Sequence, residues 1–272
     1  PRQLPAVTPV PDGPATLQGA ELQSIGLSDL RISLFERLLA RCQAQGWHWA
    51  WGQLTHQGRM HQELMQYVGP AYYAGHLQLA AHDAIRARQT APFTLLGAAP
   101  GSDLEAFIQH RRLVFIPVTT PGKPFAKAHP HEAELAVRLA AYIHRCIGAG
   151  FVPESDLGII TPWRGQIAEI RRQVLQAEDT RLQDISIDTV ERYQGSQRRC
   201  IIVSLAVTAP GQLRHLVHLT PDGTTDRKLN VALTRAQEQL IVIGNPELLL
   251  LAPPYAALLA HIRSVGGWYG VD

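Results

Sequence analysis

Five strand-like segments rich in Val, Ile and Leu, most of them near-continuous apolar runs, are separated by stretches of helical period and constrain this chain more than any other feature. They are Leu113–Val118, Leu157–Ile160, Ile185–Val190, Cys200–Val207 and Leu240–Ile243. A half-buried strand alternates apolar with polar residues, whereas an unbroken apolar run of this length reads as a strand covered on both faces. Helical patterns fall between the runs: His131 to about Gly148, Arg164 to about Ala177, and Lys228 to about Gln237. Alternation of that kind specifies an α/β fold with a parallel sheet and helices on both faces. Open sheets of this class bind ligands beyond the carboxyl ends of their strands, so the loops that follow the strands are where chemistry is expected.

The first third of the chain is less regular. Residues 1–20 hold five prolines and read as a connector. Asp29 then N-caps a helix carrying Leu30, Leu34, Phe35, Leu38 and Leu39, which Gly46 closes. The tryptophan-rich stretch His48–Leu54 reads as a strand. Arg59–Val68 reads as a helix stopped by Gly69-Pro70, and a further helix is expected near 78–88, in a region (76–111) with little pattern. On this reading residues 1–46 end one domain and 47–272 form the next.

Composition narrows the function classes. Hydrophobic residues at 46% and charged residues at 18% suit a globular chain with a full core. The net charge of +2 is near neutral, so any nucleic-acid groove must come from local clustering. Cys42, Cys146 and Cys200 are scattered, read as small buried hydrophobes, and point to a reducing compartment. There is no apolar run of membrane-spanning length and no signal-peptide pattern, so a cytoplasmic (or nuclear) location is expected. His129 and His131 lack further ligands at metal spacing, and no metal site is expected.

Two segments carry the chemistry. Thr189-Val190-Glu191-Arg192-Tyr193-Gln194-Gly195-Ser196-Gln197 joins two of the strands, and Asn230-Val231-Ala232-Leu233-Thr234-Arg235-Ala236 leads a helix into the last one. Both resemble motifs V and VI of the superfamily 1 nucleic-acid helicases. The resemblance is to the branch containing the nonsense-mediated-decay RNA helicase and the Okazaki-fragment helicase–nuclease. Three further segments follow the family's order: Gln57-Gly58-Arg59-Met60-His61 is similar to motif IV, Ile160-Thr161-Pro162-Trp163 with Gln166 to a Thr-Pro-Tyr-x-x-Gln motif, and Gln3-Leu4-Pro5 to the tail of motif III.

The resemblance implies a RecA-like second helicase domain whose guanidiniums reach ATP held, with Mg²⁺, by another RecA-like domain upstream. Arg235 would be the arginine finger and Arg59 a second contact. A planar, permanently charged fork suits phosphoryl oxygens, and such fingers are worth about 10³–10⁵ in rate. Gln3, Gln57, Gly195 and Gln197 fall on nucleotide-binding positions. Thr161, Gln166, Thr189, Arg192 and Gln194 fall on positions facing single-stranded DNA or RNA. Trp163 reads either as a base-stacking ring or as a core residue. Arg192, Arg198 and Arg199 form a local basic cluster that meets phosphates or is merely a solvated face.

Two departures bear on the nucleotide. Gly58 stands where the family has a tyrosine that packs on adenine, and Gln197 replaces an acidic residue that holds the ribose. Gly-x-x-x-x-Gly-Lys-Ser/Thr occurs nowhere in the 272 residues, and no Asp-Glu pair ends an apolar strand, so this chain alone is expected not to hydrolyse ATP. The alternative reading is a non-catalytic nucleic-acid-binding or protein-docking module derived from a helicase.

Overall fold

The computed structural model describes residues 33–93, 95, 97–119, 127–193, 195–220 and 223–270. Gln3, Gln194 and the expected Asp29 cap lie outside the described residues. The chain divides into two compact units, between Thr55 and His56. In the first, helix α1 (Leu34–Ala44) is opened by a capping box in which Ser33 and Glu36 each accept from the other's backbone N–H. Trp47, Trp49 and Trp51 alternate as in a strand, but His48–Ala50 is a 3₁₀ turn. Trp49 is 84% exposed, so no apolar burial favours an extended conformation here.

The second unit is built on a five-stranded sheet of β3 (Leu113–Pro117), β4 (Leu157–Ile160), β5 (Ser186–Asp188), β6 (Arg198–Ser204) and β7 (Ala236–Gly244). Its order is β3-β7-β6-β4-β5, with every neighbouring pair parallel. The five segments are thus the five strands, and Ile185–Val190, which alternates as Ile-Ser-Ile-Asp, supplies the edge strand β5. Because successive side chains point to opposite faces, Val114, Ile116, Ile159, Ile202 and Ile241 meet helices α5 (Pro130–Ile147) and α6 (Arg164–Gln176) in the main core. Leu113 and Leu240 point the other way, toward Leu64 and Val68 of α2 (Gln62–Tyr73), Leu233 of α7 (Arg227–Leu233) and Leu258 of α8 (Pro253–Ser264). Helices therefore cover both faces, as the unbroken apolar runs require.

Three local expectations change. Helix α2 runs through Gly69-Pro70 to Tyr73 instead of stopping there. Pro70 deletes a hydrogen bond to the carbonyl of Gln66, but both residues face solvent, while Val68 and Tyr72 on the other side are buried. Helix α3 (Asp83–Thr90) starts five residues later than expected, after a two-stranded parallel ribbon of β1 (His56–Gln57) and β2 (Gln78–Leu79). Helix α7 stops at Leu233 rather than near Gln237, because β7 already begins at Ala236. The short helix α4 (Asp103–Ile108) leads into β3.

Candidate functional site

Asp226 caps the start of α7 by accepting from the backbone N–H groups of Lys228 and Leu229. The helix ends two residues before β7, which leaves Thr234 and Arg235 in a tight turn at the amino end of the sheet. Arg235 is 8% exposed. Its Nε donates to the carbonyl of Val231 at 3.0 Å, Nη2 to the Thr234 hydroxyl at 3.0 Å and Nη1 to the carbonyl of Ser196 at 3.2 Å. A cation on the last carbonyls of a helix sits at the favourable end of its dipole.

Arg59 arrives from the loop between β1 and α2. The backbone N–H of His61 donates to the carbonyl of Gln237 at 2.8 Å and pins that loop to the start of β7. Arg59 Nη1 donates to the carbonyl of Thr234 at 3.0 Å, and its Nε to the side-chain oxygen of Gln197 at 3.0 Å. A guanidinium has five N–H donors. Arg235 uses three and keeps two; Arg59 uses two and keeps three. No carboxylate pairs with either among the described residues. Burial, and then the nearby charge of Arg59, push the Arg235 guanidinium down to about 10, where it is still protonated at neutral pH. Two neighbouring cations, partly desolvated and without a carboxylate partner among the described residues, have the charge and free donors to receive an anion.

The loop from β5 to β6 connects the two ends of the sheet without a helix. It leaves the carboxyl end of β5 at Thr189, half-buried, whose N–H donates to the Asp188 carboxylate at 2.8 Å. By Tyr193 the chain is back at the amino end, where the phenol donates to the carbonyl of Ser186 at 2.6 Å. Gly195 then takes φ +88 in a turn closed by Ser196 N–H to Tyr193 carbonyl at 3.0 Å, a conformation that favours glycine. The next residue supplies Arg235's carbonyl partner, and Gln197 receives Arg59.

Other expected residues sit differently. The arginine pair lies at the amino ends of the strands, not beyond their carboxyl ends, because motif VI feeds into a strand rather than leaving one. Gln57 turns its amide onto its own loop, accepting from Arg59 N–H at 2.9 Å and Met60 N–H at 2.7 Å, so it shapes the loop and is not free for a base. Gly58 is exposed, and a Cβ there would make only ordinary contact with Ile85.

At the carboxyl end of β4, Thr161 and Gln166 are fully buried and Trp163 nearly so. Gln166 accepts from the backbone N–H of His129 and donates to Ser204 at 2.9 Å and to the His129 carbonyl at 3.2 Å, which leaves nothing for a nucleic-acid backbone. Trp163 Nε1 donates to the carbonyl of Leu205 at 2.8 Å, which places the ring in the core. The basic cluster is dispersed. Arg192 is 74% exposed beside Asp188, Arg198 lies over the Tyr193 ring, and Arg199 pairs with Glu238 at 2.9 Å. The three have separate partners, and the pairing of β6 with β7 is irregular between Arg198 and Cys200.

Pattern reading missed several polar residues. Glu132 on α5 is fully buried and accepts from Ser204 and from the N–H of Ala206, and its other oxygen has no partner. Burial pushes its carboxyl up to about 8. Arg88 and Gln89 of α3 hold the Arg59 loop. Among the described residues, no group of three His, Cys, Asp or Glu is placed to hold a metal ion, and no helix is long and apolar enough to cross a membrane.

A parallel sheet with helices on both faces, and two convergent arginines at one end of it, define an α/β domain of the RecA-like class. A family model described as an AAA domain matches residues 30–247. The human RNA helicase Mov10l1 is 31% identical over 56% of the chain and 12% of its own length. The chicken DNA replication ATP-dependent helicase/nuclease DNA2 is 29% identical over 92% and 21%. The Arabidopsis thaliana homolog of regulator of nonsense transcripts 1 is 28% identical over 76% and 15%. The chain belongs to the superfamily 1 helicases, in the branch that holds these proteins. It spans between 12% and 21% of their lengths.

Proposed function

We propose that this chain is the second motor half of an ATP-dependent DNA or RNA helicase, with residues 1–46 as the tail of the first half. Arg235 and Arg59 act across a cleft on a triphosphate gripped by that first half. The observation that carries the reading is the arginine pair itself: donors left over on two cations that share Thr234 and lack a carboxylate. As the γ-phosphoryl departs, its charge spreads over its oxygens. A pre-oriented guanidinium stabilises that charge without reorganising.

In this reading Gln197 holds Arg59 through its oxygen and offers its amide NH₂ to the ribose. Mg²⁺ belongs to the first half, since the guanidiniums here repel cations. Thr189 and Arg192, at the carboxyl end of β5, face the backbone of single-stranded nucleic acid, and Thr161, Trp163 and Gln166 support that surface from beneath. The loop from Thr189 to Gln197 makes the two functions mechanically continuous. Triphosphate favours the closed cleft by its differential affinity for that state, and its loss reopens the cleft.

The test is steady-state ATP turnover by the intact protein, with and without a single-stranded oligonucleotide. Stimulated turnover is expected. Oligonucleotide binding with no turnover under any condition would make the chain a non-catalytic module and overturn the motor reading.

A further inference from the structure

The loop that carries Arg59 is held by two consecutive residues of a helix that no motif of the sequence points to. Gln89 is fully buried, and its Nε2 donates to the carbonyls of Gln57 at 2.8 Å and Met60 at 3.0 Å. Its Oε1 accepts from the N–H of Ala80 at 2.9 Å, which ties the helix back to the end of β2. Arg88 donates Nη1 to the carbonyl of Arg59 at 3.0 Å and Nη2 to the carbonyl of Gly58. Four consecutive carbonyls, from Gln57 to Met60, thus receive donors from one dipeptide. From the inside, Gln57 Oε1 holds the N–H groups of Arg59 and Met60.

A four-residue loop with its carbonyls fixed has little freedom to redirect its side chains. The same loop contains Gly58, the residue least able to restrict its own backbone. We infer that Arg88 is a positioning residue: with Gln89 it clamps the Gln57–Met60 loop and thereby aims the Arg59 guanidinium at Thr234, Gln197 and the incoming phosphate. The inference rests on the proposed nucleotide role of Arg59 for its consequence, but not for the clamp itself. Arg88 suits the task because its planar fork offers two adjacent carbonyls separate nitrogens in a fixed geometry, whereas an ammonium is a single point donor on a flexible stem.

Two readouts test it. In the 272-residue chain, NMR of arginine side chains reports the solvent exchange of each Nε–H. Arg59 Nε–H, bonded to Gln197, should be protected in the parent chain and should exchange like an exposed arginine in Arg88→Ala. Arg235 Nε–H, bonded to Val231, should stay protected in both, which separates a lost clamp from general loosening. In the intact protein, Arg88→Ala should lower kcat on the order of 10- to 100-fold with KM for ATP little changed, the scale expected when a catalytic group is misplaced by about an ångström. The fall should vanish in an Arg59→Ala background.

Arg88→Lys should be intermediate in both readouts, and it serves if the alanine variant does not fold. Unchanged Arg59 protection in both variants overturns the clamp, as does a kcat loss that persists undiminished without Arg59. Full turnover in Arg235→Ala would instead overturn the nucleotide reading, and the exchange measurement does not depend on that result.

Discussion

Arg59 and Arg235 are separated by most of the chain yet end on the same residue, one donating to the carbonyl of Thr234 and the other to its hydroxyl. Like charges are brought this close, and partly out of water, only where something offsets the cost. Helix-end carbonyls offset part of it for Arg235. On the proposed reading, a bound anion offsets the remainder.

Tripolyphosphate should raise the melting temperature of the isolated chain beyond sodium chloride of equal ionic strength. Ligand at a hundred times its Kd contributes about 2.7 kcal/mol, worth several degrees in a domain of this size. Arg59→Ala and Arg235→Ala should each abolish the rise. Equal melting curves in the two salts would show that the pair does not act as a receptor.

Glu132 makes stability depend on pH with a definite sign. Its folded carboxyl is raised to about 8 against an ordinary 4.5, so between those values the folded state keeps a proton that the unfolded chain has released. Its contribution is therefore complete below about pH 4.5 and is lost as pH rises through about 8, a swing on the order of a few kcal/mol. Above pH 7, where histidines lowered by burial are already neutral, urea midpoints should fall as pH rises to 8.5, and Glu132→Gln should flatten that slope. An unchanged slope in the variant would place the titration elsewhere.

Trp163 should behave as a core residue. Trp163→Ala removes a buried ring and leaves the Leu205 carbonyl without its donor, a loss of about 3–5 kcal/mol. Affinity of the folded variant for a single-stranded oligonucleotide should be unchanged. Weakened binding with stability intact would restore the base-stacking role.

Gly69 sits inside α2 with room for a methyl group, since a Cβ would lie 3.9 Å from Met65 and 4.0 Å from Leu77. Gly69→Ala should stabilise by less than the roughly 0.5–1 kcal/mol that helix entropy contributes at an ordinary position, because the new Cβ meets the Pro70 ring. A lower denaturation midpoint would mean that the helix needs a glycine before Pro70.

Much of this was legible in the sequence. Runs such as Leu240–Ile243 announce doubly covered strands because burial on both faces removes the polar alternation. Arg59 and Arg235 stand in segments whose order and residue types resemble helicase motifs, which singled them out. Gln166 misled because a glutamine at a strand end looks the same whether it faces solvent or completes a buried network with His129 and Ser204. Arg88 and Gln89 were invisible, since side chains that hold backbone carbonyls leave no periodic trace, and α3 has only one buried position. Gly69-Pro70 reads as a stop because local propensity ignores the burial of Val68 and Tyr72.

ATP hydrolysis by the intact protein carrying Arg235→Ala tests the central claim most directly. Turnover should fall on the order of 10³-fold or more while oligonucleotide affinity stays close to that of the parent. Turnover within about twofold of the parent, well short of what a finger contributes, would contradict it.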